Sequence, residues 1–329
     1  MYPNQAPTLL QVIYVVVPTI SLVGNTLIVY ATVVSRKLRN PCNIFIASVA
    51  LGDVMFMFSF FISAATYNMY DDHHIPQDIC VYLHIVPTFG QSFSFMLLLN
   101  LAIDRLLSLT TSYNVLTKYY TKMYITVQLL PGCIYGGGIT VMAFLMRVAD
   151  INVICTMAAP LRPPLVGICA QIGTTLCVLL IICYSLFGIL IRKLRMSTES
   201  MKNVYRSLFV ITISIIFGYF GAMAIAMTDD LTNPSVFPIQ LAGLCMSFGT
   251  SVNFFAYYWL RVGPPSTIAP EVVFIDGDLQ TCAAELIAPY REVFDSVLGI
   301  GRIKNIILPK NNLRIQHTTT RLSTVFREL

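Results

Sequence analysis

Two adjacent opposite charges, Asp104 and Arg105, stand at the end of a long apolar stretch, "SFSFMLLLNLAIDRLLSL" at 92–109. A carboxylate beside a guanidinium can form a charge-assisted ion pair. A lone arginine at the end of an apolar helix could instead extend its charged head toward water. Because Asp104 is adjacent, we predict that it holds Arg105, and that a conformational change can release the arginine.

A second charged candidate, Asp53, lies inside the apolar stretch "IASVALGDVMF". Ionisable residues within membrane helices are costly and pair with other polar groups. The polar residues predicted at a similar depth are Asn25, Ser94 and Asn253. Two interpretations stay open: a structural polar cluster that joins helices, or a hydrated centre that a sodium ion occupies in one conformation.

The composition of the chain indicates which secondary-structure elements position these charged residues. Apolar residues make up 56% of the chain and charged residues 11%, against about 25% charged residues in soluble domains. Seven apolar blocks are each long enough to cross a hydrocarbon core as a helix, and the alternation typical of membrane strands is missing from the sequence. The blocks are 9–34, 42–67, 80–108, 123–146, 163–191, 206–228 and 234–260. We predict an all-α membrane protein built as a seven-helix transmembrane bundle.

Basic residues predict the orientation of this bundle. Lys and Arg are concentrated in the loops after the first, third and fifth blocks, whereas "NMYDDHHIPQDI" after the second block has three Asp and no Lys or Arg. We therefore predict that the N-terminus is extracellular and that His73 and His74 are solvated. No cleavable signal peptide is visible, so the first helix is expected to direct insertion. The net charge of +5 suits anionic lipid rather than nucleic acid, and we predict a multi-pass plasma-membrane protein.

The remaining reactive residue types give little support to catalysis. Most of the nine cysteines fall within apolar blocks and are interpreted as packing residues. Cys80 and Cys155 are both predicted on the outer side, where disulfides persist. The sequence has no CxxC pair, no metal-ligand spacing and no glycine-rich phosphate loop. We predict that the protein is not an enzyme and carries no cofactor, apart from the sodium ion considered near Asp53.

Several motifs in order resemble those of the rhodopsin-like G-protein-coupled receptors. Cys80 precedes Arg105 by 25 residues, which is the family's spacing between its helix-three cysteine and the arginine of Asp-Arg-Tyr. The matching positions are Asn25, Asp53, Cys80, the Asp104-Arg105-Leu106 triplet, Tyr184 and "NFFAY", which runs from Asn253 to Tyr257. The resemblance covers 9–260. Within the family, "RKLRNPCNIFIASVALGD", "AIDRLLSL" and "NFFAYYW" resemble the nematode serpentine chemoreceptors of class SX.

The resemblance implies a disulfide, a partner and a switch. Cys80 and Cys155 would bridge the third helix to the second extracellular loop. The partner would be a heterotrimeric G protein, and the coupling switch would consist of Asp104, Arg105, Tyr184 and Tyr257. No acidic residue stands in the third cytoplasmic loop where the family would lock the arginine. The resting state is therefore expected to be held by Asp104 alone, with some basal activity.

The resemblance also implies a ligand pocket. Pro87 replaces the ammonium-binding Asp of amine receptors, and 234–260 lacks the Lys that binds retinal. Thr88, Gln91 and Phe95 follow the spacing of one helix face. Together with Tyr219, which stands where the family has a helix-six Trp, they would form a mostly apolar cleft. Such a cleft suits a small, mainly neutral organic ligand or part of a peptide.

Two other functions stay open. A transporter or channel would be expected to show inverted repeats or interrupted helices along a polar path, whereas this sequence shows no internal repeat and its charge is concentrated at one helix end. A receptor-like protein that no longer signals is compatible with two departures from the family, since Trp259 is the single Trp and Gly221 replaces the kinking proline of the sixth helix. The favoured interpretation is a chemosensory receptor that activates a G protein.

The domain prediction divides the chain into an outer tail at 1–8, a receptor domain at 9–260 and a cytoplasmic tail at 261–329. Within that tail, 290–303 has the apolar face of a short amphipathic eighth helix. The preceding segment, 263–289, carries four acidic and no basic residues, which is unusual beside an anionic leaflet. We favour the interpretation that 263–289 is translated from unspliced sequence or belongs to a splice variant; a flexible acidic regulatory loop is the alternative.

Overall fold

The structure is a computed structural model that describes residues 8–35, 39–70, 73–110, 112–162, 165–193, 199–228 and 236–262. At 191–193, 199–208, 226–228 and 253–262, and at a few isolated helical positions, the backbone alone is described. All of these residues belong to one structural unit, Met1–Phe294, and the second unit, Asp295–Leu329, lies outside the described residues.

Seven long helices and one short helix follow one another along the described chain. Their bounds are α1 Thr8–Val34, α2 Pro41–Met69, α3 Gln77–Leu107, α4 Ser112–Tyr119, α5 Thr121–Leu145, α6 Leu165–Lys193, α7 Glu199–Thr228 and α8 Val236–Val262. The long helices coincide with the seven apolar blocks, and the predicted helical membrane fold is confirmed. The short helix α4 was not predicted from the sequence.

Membrane-spanning character is clearest in five helices. α1, α2, α3, α5 and α6 are long and apolar enough to cross a membrane, and the described part of α7 contains a shorter apolar stretch, Thr212–Ile225. Several large apolar side chains of α5 and α6 are exposed, namely Val127, Leu130, Ile134, Val178, Ile181 and Ile182. An exposed apolar surface of this kind marks an interaction with membrane or protein, and on membrane helices it suits lipid.

Glycine permits an unusually close contact between α2 and α3. A Cβ atom added to Gly52 would lie 2.7 Å from the Cβ of Ser94, and one added to Gly90 would lie 2.4 Å from the Cβ of Met55. Only a residue without a side chain allows the two backbones to approach so closely. The contact places Ser94 against the turn of α2 that carries Asp53.

A two-residue strand pair joins two loops, and the all-α prediction did not include it. β1, Ile75–Pro76, pairs antiparallel with β2, Asn152–Val153. Gln77 reinforces the pairing: its backbone N–H donates to the carbonyl of Ile151 at 2.9 Å, and its Oε1 accepts from the backbone N–H of Val148 at 2.8 Å. The loop between α5 and α6 is therefore fixed against the start of α3.

Several predicted segments lie outside the described residues. The outer tail 1–8 is described only at Thr8, which begins α1. The segment 263–289 and the amphipathic helix 290–303 are both outside the described residues. The predicted domain boundaries at the tail, and the extracellular position of the N-terminus, stay predictions.

Candidate functional site

The Asp104–Arg105 pair lies at the end of α3 and is buried, with 0% of Asp104 and 7% of Arg105 exposed. Nη2 of Arg105 donates to Oδ2 of Asp104. Removing two ions from water is costly unless they are paired and further hydrogen-bonded. The geometry therefore shows a charge held inside the protein rather than one that extends into water.

Two tyrosines complete the environment of Asp104. Its Oδ1 accepts hydrogen bonds from the hydroxyl of Tyr124 at 2.6 Å and from the hydroxyl of Tyr113 at 3.2 Å. Tyr124 lies in the first turn of α5 and Tyr113 lies in α4, so the carboxylate joins three helices. The sequence analysis named Asp104 alone as the group that holds the arginine, and it missed both tyrosines.

The other two members of the predicted switch belong to later helices. Tyr184 of α6 is 2% exposed, lies near Thr212 of α7 and interacts electrostatically with Arg105. Tyr257 falls within α8, but its side chain lies outside the description. The structure thus buries Tyr184 within electrostatic range of the Asp104–Arg105 pair, while the roles of Tyr184 and Tyr257 in a switch stay predictions.

We expect Tyr124→Phe to raise basal activation of the predicted G-protein partner by about tenfold or more, because a hydrogen bond to a charged group contributes roughly 1.5–3 kcal/mol, or about 10- to 150-fold in an equilibrium. Phenylalanine keeps the ring but loses the hydroxyl that donates to Asp104. Tyr120→Phe is the matched control, since Tyr120 is exposed and lies one turn away. Nucleotide exchange without ligand is measured for both; equal basal rates in the two variants would contradict a holding role for Tyr124.

Asp53 is buried, and so are two of the polar residues predicted to surround it, Asn25 and Ser94. Asn25 is 0%, Asp53 2% and Ser94 5% exposed. Nδ2 of Asn25 donates to Oγ of Ser21 at 3.2 Å, and Oγ of Ser94 donates to the carbonyl of Gln91 at 3.3 Å. Oδ1 of Asn25 is buried and has no hydrogen bond within the described residues. The side chain of Asn253 lies outside the description.

Two members of the predicted ligand cleft, Phe95 and Tyr219, contact each other directly. The rings of Phe95 and Tyr219 stack with their centroids 5.8 Å apart. The hydroxyl of Tyr219 donates to the carbonyl of Ala170 in α6 at 2.8 Å, which fixes the ring between α3 and α6. Thr88 is buried and Gln91 is half-buried on the same helix as Phe95. The aromatic pair therefore links three helices at the predicted cleft.

Gly173 makes room for Tyr219, since a Cβ atom there would lie 2.4 Å from the tyrosine hydroxyl. We expect Gly173→Ala to displace the Tyr219 ring and reduce the ligand-evoked response by about fivefold or more, the lower end of typical coupling energies. Gly167→Ala is the control on the same helix, because a Cβ there meets nothing within 4 Å. Dose–response curves at equal surface expression check this; identical curves would remove Tyr219 from the cleft.

The implied disulfide is confirmed. Cys80 at the start of α3 is bonded to Cys155 in the loop after α5, and the two cysteines are 75 residues apart. The buried ring of His84 lies beside the bond, with Nδ1 3.7 Å from Sγ of Cys80 and 3.6 Å from Sγ of Cys155. A thiolate is the form of cysteine that binds metal, so these sulfurs, bonded to each other, do not offer a metal site with His84.

Sequence reasoning also missed a cavity among α1, α2 and α8. Its volume is about 350 Å³, and Tyr14, Tyr67 and Gln240 are among its lining residues. His73 stacks on Tyr67, with the ring centroids 3.9 Å apart, and its Nδ1 lies 2.7 Å from the carbonyl of Tyr67. His73 is therefore packed, whereas solvation was expected. No single motif signals this cavity, because its walls come from distant segments.

A family and one receptor among known proteins are similar to this chain. The family described as "Serpentine type 7TM GPCR chemoreceptor Srsx" matches residues 18–261. C-C chemokine receptor type 8 of Macaca mulatta is 44% identical over 52 residues, which cover 16% of this chain and 15% of that receptor. The chain therefore spans about a seventh of the length of this relative, and the family match covers most of the bundle.

Proposed function

We propose a signalling mechanism and a ligand class from one premise: the chain belongs to the Srsx family of serpentine 7TM G-protein-coupled chemoreceptors. The proposed function is chemosensory. The receptor binds an extracellular small molecule or peptide segment and activates a heterotrimeric G protein from the plasma membrane. The observation that carries this proposal is the buried Asp104–Arg105 pair, to which Tyr113 and Tyr124 contribute hydrogen bonds.

Activation is a shift between two conformations. A ligand that binds the active conformation more tightly increases its population. In that conformation the cytoplasmic end of α7 moves outward, and Arg105 leaves Asp104 to meet Tyr184 and Tyr257. The burial of Tyr184 beside α7, near Thr212, supports this route. A movement of α7 shifts Thr212 and therefore changes the surroundings of the Tyr184 hydroxyl.

The proposed ligand is small and mainly neutral. The stacked pair of Phe95 and Tyr219 supplies an apolar surface, and Gln91 offers one amide. The 52-residue match to a chemokine receptor does not carry a chemokine ligand over to this chain, because it covers a small part of either protein. A small organic molecule or a short peptide segment is the class that the cleft supports.

A sodium ion near Asp53 is part of the proposal. Hard cations prefer oxygen ligands, and the fit rests on the buried Oδ1 of Asn25, which has no hydrogen bond within the described residues, together with the buried Asp53 and Ser94. Asp53, Asn25 and Ser94 would hold the ion, which would offset the carboxylate charge. Binding in one conformation only would bias the receptor toward that conformation.

The deciding experiment compares two readouts. Membranes containing the full chain are exposed to a panel of small neutral molecules, and nucleotide exchange on added heterotrimeric G protein is measured. Sealed vesicles containing the same chain are tested for flux of the same molecules. Ligand-evoked exchange without flux is the expected result. Flux without exchange would identify a transporter or channel, and neither response would favour a receptor-like protein that no longer signals.

A further inference from the structure

The cavity among α1, α2 and α8 is lined by residues from all three helices. Its volume of about 350 Å³ lies within the range of small-molecule sites. Its described lining residues, among them Tyr14, Ala64, Tyr67 and Gln240, come from α1, α2 and α8. None of them is charged, and the predicted cleft at Phe95 and Tyr219 contributes no residue to it. The cavity is therefore separate from the cleft considered above.

Gln240 gives this cavity a specific chemical requirement. Its side chain is 8% exposed, and its Oε1 is buried without a hydrogen bond in the described part of the structure. A buried acceptor without a hydrogen bond is unfavourable. Because Gln240 lines the cavity, a rotation of its amide would present Oε1 to an occupant that carries an N–H or O–H group. The amide oxygen therefore favours a ligand that donates a hydrogen bond.

Three valines of α1 form an apolar and exposed part of the cavity lining. Val12, Val15 and Val16 of α1 line the cavity and are also exposed. All three lie in the part of α1 that is long and apolar enough to cross a membrane, Gln11–Val34. An apolar group in the cavity can therefore extend along these valines toward the lipid, while a donor group points inward to Gln240.

We propose that this cavity is a binding subsite for a neutral amphiphile that carries one hydrogen-bond donor and an alkyl chain, and that the ligand reaches it from the lipid side. The inference rests on the proposed receptor function, of which it specifies the ligand class. A charged ammonium or carboxylate is disfavoured, because none of the described lining residues offers a charge to compensate its loss of hydration.

The subsite has a physical connection to the extracellular loops. Tyr14, Tyr67 and Gln240 also line a smaller adjoining pocket, whose other walls include His73 and Thr156. Thr156 follows directly after Cys155, which is bonded to α3. Tyr67 and Gln240 therefore line both the cavity and the pocket to which the loop after α5 contributes Thr156. A ligand that contacts Tyr67 and Gln240 can act on that loop through these two side chains.

Photolabelling tests the subsite directly. The full chain in lipid nanodiscs is labelled with a medium-chain primary alcohol that carries a diazirine in its chain and a terminal alkyne, and labelled peptides are identified by mass spectrometry. Hydrophobic probes label lipid-facing helices in general, so the readout is the labelling that excess 1-octanol removes. We expect this fraction on α1 around Val12–Val16 and on α8 around Gln240. Competition by 1-octanol but not by 1-methoxyoctane, which lacks a donor, supports the role of Gln240.

Two adjacent residues supply matched variants. Ala64 lines the cavity, and Ala64→Phe should fill it and abolish the competed labelling. Ala65 is its exposed neighbour on α2, and Ala65→Phe should leave the labelling unchanged. Gln240→Leu should weaken competition by 1-octanol about fivefold, which corresponds to one neutral hydrogen bond. Thermal melting of each variant verifies folding, and the Gln240→Leu comparison stands even where Ala64→Phe does not fold.

The outcomes separate this inference from the proposed function. Arg105→Ala should label like the wild type, because binding in purified receptor requires no G protein. Labelling that 1-octanol does not remove, or that Ala64→Phe and Ala65→Phe leave equally unchanged, overturns the subsite. If ligand-evoked nucleotide exchange persists in that case, the receptor function stands and the subsite alone is wrong.

Discussion

Replacing Arg105 with alanine is expected to reduce ligand-evoked nucleotide exchange on the G protein by about 5- to 150-fold, the usual range of coupling between two sites. The substitution removes the guanidinium that is paired with Asp104 in the structure and is proposed to meet Tyr184 on activation. Surface expression should fall only in part: Asp104 loses its buried partner charge, but it keeps the hydrogen bonds from Tyr113 and Tyr124. Exchange of a labelled GTP analogue, normalised to surface receptor, measures the effect.

Two further variants make the Arg105 test specific. Arg39→Ala is the control, because Arg39 is exposed and its guanidinium donates to the carbonyl of Val33 at 2.6 Å, away from Asp104. It should leave exchange unchanged. Asp104→Asn should raise exchange without ligand, since the neutral amide no longer holds the arginine. Full signalling by Arg105→Ala at normal surface expression would show that Arg105 is not the switch.

The helices could be predicted because their cause is local. Each block places enough consecutive apolar residues to cross a bilayer, and a chain in lipid must satisfy its own backbone hydrogen bonds. The predicted block 163–191 accordingly became α6, and 123–146 became α5. The pairing of Asp104 with Arg105 was also accessible to sequence reasoning, because the two residues are adjacent.

The partners of Asp104 could not be predicted because they depend on how helices pack. Tyr113 and Tyr124 lie 9 and 20 positions away, and nothing in their spacing distinguishes them from the exposed Tyr119 and Tyr120. Only the fold of α4 and α5 against α3 decides which hydroxyls reach the carboxylate. The same reason explains why the two tyrosines were missing from the predicted switch.

The cavity at Gln240 could not be predicted from the sequence either. A glutamine in an apolar block usually predicts a partner on a neighbouring helix, and here the structure leaves Oε1 without one among the described residues. The cavity exists because Tyr14, Ala64 and Gln240 come from three helices that do not fill the space between them. Such a gap is a property of packing, whereas the position of the disulfide was implied by family spacing.

Replacing Cys80 or Cys155 with serine is expected to cause the largest loss of folded receptor. A bridge between residues 75 positions apart raises the free energy of the unfolded chain by about 4.5 kcal/mol in the loop-entropy model, which is a large share of a typical folding free energy. The hydrogen bonds of Gln77 and the β1–β2 pairing still hold the loop, so some receptor should reach the surface. Surface labelling and the melting temperature of purified protein should both fall.

The double replacement tests whether the two cysteines act as one unit. Cys80→Ser combined with Cys155→Ser should cost no more than either single change, because each single change already removes the whole bond and residues in direct contact are not additive. Cys133→Ser is the control, since Cys133 is an exposed free cysteine of α5 and its loss should leave expression unchanged. Mass spectrometry of unreduced peptides from surface receptor should find Cys80 and Cys155 linked. If both thiols are free in that protein, or if the double variant is far less stable than either single variant, the loop depends on something other than the bond.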